Sequence, residues 1–188
     1  MNGNEFFEFK GEKLSFNFED FWKFHFSNIY DLQDKIAEFI VAKALGIEEA
    51  QNVEYWTLWD VTYRNKRIEV KETSYYHSFN EEGNVSNIRT FSIAKANGTY
   101  DEQVSGNKEF CRQNDIYVFC LNKGDTRASS YPLNLDNWEF YVVPTEFLNK
   151  NCENQKKISL NRIRSFNFPA LAYDELKAEI DKAINLIK

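Results

Sequence analysis

Residues 59–73 of the chain read WDVTYRNKRIEVKET. They lie within two runs rich in β-branched and aromatic residues, 53–63 and 67–75, which flank the polar triplet 64–66. Runs of this composition around a short polar segment predict the two strands of a β-hairpin. The pattern of the hairpin therefore decides which side chains share a surface.

Successive residues of a strand point to opposite sides, so the hairpin sorts its side chains onto two faces. A two-residue turn at Asn65 and Lys66 would place Asp60 opposite Lys71. One face is then predicted to carry Trp59, Val61, Tyr63, Ile68 and Val70, and the other Asp60, Thr62, Glu69, Lys71 and Thr73. A four-residue loop gives the same sorting, whereas a three-residue loop would put Asp60 on the apolar side.

Two carboxylates and a lysine on one face point to a specific chemistry. Asp60 and Glu69 would repel each other unless a cation lay between them, and oxygen ligands favour Mg²⁺ or Mn²⁺. A bound divalent ion can polarise a phosphate and activate a water, while the ammonium of Lys71 can stabilise charge on phosphoryl oxygens. The alternative is that these residues form cross-strand charge pairs on a solvated sheet face, and spacing alone does not separate the two.

A helix is predicted upstream of the hairpin, from Ser27 as N-cap to Gly46 as the C-terminal stop. Its apolar residues lie on one side, and Asp31, Asp34 and Glu38 lie on neighbouring turns beside that stripe. Taken alone, charged residues in this pattern are typical of a solvated helix face.

The remaining pattern predicts a single α/β (α+β) domain over residues 1–188 with a mixed sheet. Apolar runs at 116–121 and 140–143 suit strands covered on both faces, 89–93 suits a short strand, and 170–188 suits a closing amphipathic helix. The aromatic-rich segment 1–26 is expected to pack as structural cover, with base stacking as the less favoured alternative.

The charge and the cysteine and histidine content of the chain argue against some classes of function. A net charge of −6 argues against nonspecific coating of nucleic acid, although basic residues cluster at 64–71 and 156–164. Three widely spaced cysteines are expected to be free thiols, and two histidines leave little for a zinc site. With no targeting or membrane-spanning pattern, we expect no membrane partner and a cytoplasmic location.

Glu38 in the predicted helix, then Trp59-Asp60-Val61, then Ile68-Glu69-Val70-Lys71, stand in an order that resembles the PD-(D/E)xK superfamily of restriction-endonuclease-like nucleases. The resemblance runs from about residue 27 to 121 and includes the later apolar strand that begins near Asp115. It implies a restriction-endonuclease-like core, a mixed sheet flanked by helices, and an endonuclease that uses Mg²⁺ (or Mn²⁺) to hydrolyse DNA.

Carried over residue by residue, the resemblance makes Asp60, Glu69 and the backbone carbonyl of Val70 metal ligands. Glu38 would assist metal binding, and Lys71 would orient or activate the attacking water. The chain departs from the family pattern at Trp59, where proline is common, and no additional catalytic glutamine is identifiable.

Arg64, Lys66 and Arg67 at the predicted hairpin tip are candidates for contact with the phosphate backbone, and a solvated turn is the alternative. Two other functions are compatible with the pattern. One is a non-catalytic module that keeps the nuclease fold to bind nucleic acid or protein; the other is a nuclease subunit active only in a larger assembly. A homodimer would allow both strands of a duplex to be cut.

Overall fold

The computed structural model describes residues 3–26, 28–48, 59–76, 89–97 and 110–187. Its strands are β1 (Phe6–Phe9), β2 (Glu12–Asn17), β3 (Val61–Tyr63), β4 (Lys66–Ser74), β5 (Thr90–Ser92), β6 (Ile116–Asn122), β7 (Trp138–Pro144) and β8 (Lys157–Ser159). Its α-helices are α1 (Phe18–His25), α2 (Gln33–Ala44), α3 (Thr145–Asn151), α4 (Leu160–Ser165) and α5 (Tyr173–Leu186). Short 3-10 helices occupy Ile29–Leu32 and Leu135–Asn137.

A four-stranded mixed sheet in the order β3-β4-β6-β7 forms the centre of the structure. β3 and β4 are antiparallel, β4 and β6 are parallel, and β6 and β7 are antiparallel. Every residue of β6 is buried, as predicted for an apolar strand covered on both faces. The prediction of a mixed α/β structure with a mixed central sheet flanked by helices is confirmed.

Each face of the sheet has its own hydrophobic core. On one face Ile68, Val70 and Val118 pack with α2 and α5, through residues such as Ile40 and Leu176. On the opposite face Tyr117, Phe119, Leu121 and Tyr141 pack against β5, β8, α3 and α4. Alternate residues of β6 thus serve opposite cores, which follows from the two-residue period of a strand.

The hairpin differs from the prediction in its register. Arg64 and Asn65 form the two-residue turn, both with left-handed backbone angles (φ 50 and 59), so Tyr63 pairs with Lys66 and Val61 with Ile68. A type I′ turn, whose twist matches that of the flanking strands, requires positive φ at both of its central residues. Asparagine, here Asn65, is among the residue types that tolerate positive φ best. The predicted turn at Asn65 and Lys66 is wrong by one residue, so that each cross-strand partner shifts by two residues. An even shift leaves the two faces unchanged.

Trp59 does not join the apolar face on which the pattern had placed it. Its indole Nε1 donates to Thr62 Oγ1 at 2.9 Å, and the guanidinium of Arg67 lies 5.5 Å from the ring centroid. The chain bends at residues 59–60, before β3 begins, so the alternation of the strand does not extend to this residue.

The predicted helix 27–46 is present as α2 preceded by the 3-10 turn, and Gly46 follows its end with φ 75. Ser27 and the predicted strand residues 53–58 lie outside the described residues. The short strand at 89–93 is β5, and the closing helix is α5. Cys111, Cys120 and Cys152 are free thiols. Within the described part of the chain, no helix is long and apolar enough to cross a membrane.

The N-terminal segment does not act as core cover. β1, β2 and α1 contact mainly one another, and α1 has no buried residue. Side chains such as Phe9 (63% exposed) and Phe24 (84% exposed) face solvent. One hairpin and one short helix cannot enclose an interior, so the rings touch each other instead, as Phe7 and Phe16 do at 5.1 Å between centroids. The expectation of burial is wrong for this segment.

Candidate metal centre

Asp60 is positioned by an irregularity at the start of β3. Val61 pairs with Ile68, and the backbone N–H of Asp60 also donates to the Ile68 carbonyl at 3.0 Å. Two successive residues facing one is the arrangement of a β-bulge, which redirects a side chain. The redirected carboxylate accepts a hydrogen bond from the backbone N–H of Val70 at 2.8 Å. Asp60 is thereby held beside the central part of β4.

Glu69 and Lys71 lie two residues apart on β4 and share a side of the sheet, as predicted. The Lys71 ammonium forms an ion pair with Glu69 Oε1. The two side chains are only 16% and 32% exposed, Glu69 being the more buried. In the parallel ladder they stand beside Tyr117 and Phe119. The pair therefore lies on the face that β5 and β8 cover further along.

The acidic groups influence one another electrically. The pKa of Glu69 is raised, first by burial and then by the negative charge of Asp60, with Lys71 opposing the shift and Glu38 adding to it. The pKa of the Tyr117 hydroxyl is likewise raised, mainly by burial and then by Glu69. Burial and like charge both disfavour the ionised form of Glu69, and a cation at this position would reverse both effects.

Glu38 reaches the same region from α2. Glu38 is half-buried, and its Oε1 forms an ion pair with Lys35 Nζ at 2.7 Å. Its pKa is raised chiefly by burial; Lys35 lowers it, while Asp60 and Asp34 raise it further. The charge of Asp60 thus acts on both Glu38 and Glu69, although α2 packs on the opposite face of the sheet from Glu69 and Lys71. A joint site of Glu38, Asp60, Glu69 and Lys71 stays a prediction.

The backbone of Val70 completes the donor set. In an extended strand the N–H and C=O of one residue point to the same side. The Val70 N–H points to Asp60, so its carbonyl is directed to the same edge of β4. The pairing of β3 with β4 ends at Val61 and Ile68. Past this point the edge presents the Val70 carbonyl next to the carboxylate of Asp60.

The chemistry of these donors suits a hard divalent cation. Asp60, Glu69 and the Val70 carbonyl are oxygen donors, and Mg²⁺ is commonly held by one or two carboxylates with water completing the octahedron. Among the described residues no three Asp, Glu, His or Cys side chains converge tightly enough to form a metal cluster by themselves. In this structure the ammonium groups of Lys71 and Lys35 neutralise Glu69 and Glu38 instead.

Two of the three cations at the hairpin tip, Arg64 and Arg67, have carboxylate partners within the protein. Arg64 Nη1 lies 3.0 Å from Asp181 Oδ1. Arg67 donates from its backbone N–H and its guanidinium to Asp115, at 2.7, 3.2 and 3.3 Å. Burial pushes the pKa of Asp115 upward, but the hydrogen bonds from Arg67 outweigh it and hold this pKa below its usual value. Arg67 thus anchors the start of β6, and contact of Arg64, Lys66 and Arg67 with phosphate stays a prediction.

Sequence reasoning missed Lys35, whose ammonium holds Glu38 and whose own pKa is raised, chiefly by that hydrogen bond. The signal was available, because residues three apart on a helix are neighbours. It also missed the bulge at Asp60, for which the sequence carries no marker such as glycine.

Comparison of the chain with protein-family models, with curated proteins and with solved structures finds no match.

Proposed function

We propose that this protein is a Mg²⁺-dependent endonuclease-like phosphodiester hydrolase that acts on DNA, with a core of the restriction-endonuclease type. The observation that carries the proposal is the position of Asp60. A β-bulge and the Val70 N–H hold its carboxylate beside the Glu69–Lys71 pair. The resemblance in sequence order, from Glu38 through Asp60 to Glu69 and Lys71, supplies the type of reaction.

Asp60, Glu69 and the Val70 carbonyl would hold the divalent ion, and Glu38 would assist from α2. When bound, such an ion polarises the scissile phosphate and lowers the pKa of a water molecule. The protein's contribution is preorganisation: the hydrogen bond from Val70 fixes Asp60, and β4 fixes Glu69 relative to it. Burial and mutual repulsion raise the pKa of Glu69 in the absence of a cation, so cation binding gains from relieving that repulsion.

Lys71 would act at the reacting phosphate. Its ammonium donates only, so it can orient the attacking water and stabilise the charge that develops on the phosphoryl oxygens. Lys71 is one-third exposed, and its ion pair with Glu69 places its ammonium next to a proposed metal ligand. A cation on Glu69 would release the ammonium toward the substrate.

The experiment is cleavage of supercoiled plasmid and of short labelled duplexes in Mg²⁺ or Mn²⁺, with wild type beside Lys71→Ala. Loss of one preorganised charge at a developing oxyanion is expected to slow cleavage about 100-fold or more. Lys182→Ala is the matched control, because it removes a lysine paired with a glutamate, Glu179, on α5. Equal activity in wild type and Lys71→Ala, or none in wild type, would contradict the proposal of a self-sufficient nuclease.

The exposed aromatic side chains of the N-terminal segment favour a second candidate, a nuclease subunit that cuts only within a larger assembly. Phe6, Phe9, Phe21, Trp22 and Phe24 are all more than 40% exposed, and clustered exposed apolar side chains mark interaction sites. This candidate predicts metal binding by the isolated protein without cleavage, which the same assay combined with metal titration distinguishes.

A further inference from the structure

A basic surface of the described residues lies away from the hairpin tip. Between Thr145 and Phe166 there are five basic residues and two acidic ones, in a chain whose net charge is −6. Lys156, Lys157 and Arg162 are exposed. Among the residues that the structure describes, none of these three forms an ion pair with a carboxylate. Their charge is therefore available to a ligand, unlike that of Arg64 and Arg67.

Lys157 lies on a two-stranded ribbon formed by β5 and β8, Lys156 immediately precedes β8, and Arg162 lies in α4 just after it. Phe91 and Ile158 point inward and are buried in the core of the sheet face. The alternate residues, Thr90, Ser92 and Lys157, are exposed on the outer face. That outer surface carries hydroxyl and ammonium groups and no carboxylate from either strand, which is the donor pattern that phosphate oxygens require.

The ribbon lies over the same face of the sheet as Glu69 and Lys71. Lys71 stands beside Phe119 in the β4–β6 ladder, and the Phe119 ring contacts Phe91 of β5 at 4.8 Å between centroids. Phe91 in turn pairs with Ile158, next to Lys157. This series of contacts, from Lys71 through Phe119 and Phe91 to Ile158, links the ribbon to the sheet face that carries Glu69 and Lys71.

Lys156 and Arg162 extend this surface at either side of β8. The backbone carbonyl of Lys156 accepts from Ile93 N–H at 3.0 Å, which fixes the entry to the strand. Ser159 caps α4 by accepting from the Arg162 N–H at 3.2 Å, and the Arg162 guanidinium lies 4.3 Å from the Phe166 ring centroid. The backbone carrying all three cations is therefore fixed before any ligand arrives.

We propose that the outer face of the β5–β8 ribbon, with Lys157 and the flanking Lys156 and Arg162, binds the phosphate backbone of the DNA duplex that is cleaved beside Lys71. The inference rests on the proposed function, since it names the surface that holds that site's substrate. It assigns duplex positioning to this ribbon rather than to the hairpin tip, where carboxylates already neutralise two of the three cations.

The test is fluorescence anisotropy of a labelled 25-base-pair duplex in EDTA, so that cleavage plays no part, over a series of NaCl concentrations. The variant Lys156→Gln/Lys157→Gln/Arg162→Gln is compared with Lys10→Gln/Lys13→Gln/Lys23→Gln, which changes the net charge equally on the N-terminal segment. Loss of three phosphate contacts should reduce the slope of log affinity against log salt by about 2.7 and weaken binding about tenfold or more at roughly 0.1 M salt. The control should bind like wild type.

The two proposals fail in different ways. If wild type does not bind the duplex, or if the ribbon variant and its control lose affinity equally, the ribbon is not the binding surface. If the ribbon variant alone loses affinity but Mg²⁺ yields no cleavage, the binding surface stands and the isolated protein is not the nuclease.

Discussion

Replacing Glu72 by glutamine should stabilise the protein at alkaline pH and not at acidic pH. Glu72 lies on β4 opposite Cys120, on the α2 side of the sheet. Its Oε1 is buried and has no hydrogen-bond partner among the residues that the structure describes. Burial raises the pKa of Glu72 to about 7; Asp34 adds to the shift, while Ser74 and Arg89 oppose it. The ordinary value is 4.5, so the folded protein holds the proton more tightly than the unfolded chain does.

The direction in which stability changes with pH follows from the linkage between proton binding and folding. A raised carboxyl pKa means that the free energy of unfolding falls as pH rises from about 4.5 to about 7, and is level on either side of that window. The difference between a pKa of 4.5 and one of about 7 corresponds to roughly 3 kcal/mol. Glutamine keeps the shape without the charge, so Glu72→Gln should exceed wild type by up to about 3 kcal/mol at pH 8. For a protein of this length that is about 6–12 °C in Tm.

The assay is urea and thermal unfolding followed by circular dichroism, at pH 4.5 and pH 8, in the presence of a chelator. Glu146→Gln on the exposed surface of α3 is the matched control and should follow wild type at both pH values. A Glu72→Gln variant with no greater stability than wild type at pH 8, or with the same gain at both pH values, would refute the reasoning.

Two further stability predictions come from the hairpin and its anchor. Asp115→Ala should lower the free energy of unfolding by about 1–3 kcal/mol near neutral pH, because it leaves the Arg67 backbone N–H and guanidinium without their acceptor. Since the pKa of Asp115 is lowered, this loss should shrink as pH falls below about 4. A loss that is independent of pH in urea unfolding would contradict the prediction. Asn65→Gly should stabilise the protein by about 0.5–1 kcal/mol, because glycine adopts φ 59 without strain. Asn65→Val should destabilise it by more than about 1 kcal/mol. The reverse order of Tm values would show that the turn lies elsewhere.

The shared face of Glu69 and Lys71 was predictable from the hairpin, because the face on which a strand residue lies depends only on whether its position in the strand is odd or even. Misplacing the turn by one residue moved each cross-strand partner by two, an even number, so the predicted sorting of Glu69 and Lys71 onto one face did not change. The turn itself was not predictable from composition, because Arg64 adopts a left-handed conformation that its residue type rarely favours. The carboxylate of Asp60 depends on a bulge, which leaves no pattern in the sequence.

The sequence predicted the elements that carry a clear apolar pattern, and it did not predict the elements that are short. The continuous apolar run at 116–121 predicts a strand buried on both faces, and β6 is such a strand. α3, β8 and α4 are three to seven residues long and depend on tertiary contacts such as those of Ile158 and Ile163, so no periodicity marks them. The aromatic N-terminal segment shows that apolar composition alone does not supply a surface to pack against.

The most direct test of the central claim is titration of Mg²⁺ and Mn²⁺ into wild type, Asp60→Asn and the exposed control Asp174→Asn, followed by thermal unfolding and calorimetry. Asp60 and Glu69 are proposed to hold one divalent ion, so wild type and Asp174→Asn should gain stability with metal, by about 2.7 kcal/mol at a concentration 100 times Kd. Asp60→Asn should lose that gain and be more stable than wild type in chelator, because repulsion on Glu69 and Glu38 is removed. An equal metal response in Asp60→Asn and wild type, or none in wild type, would contradict the claim.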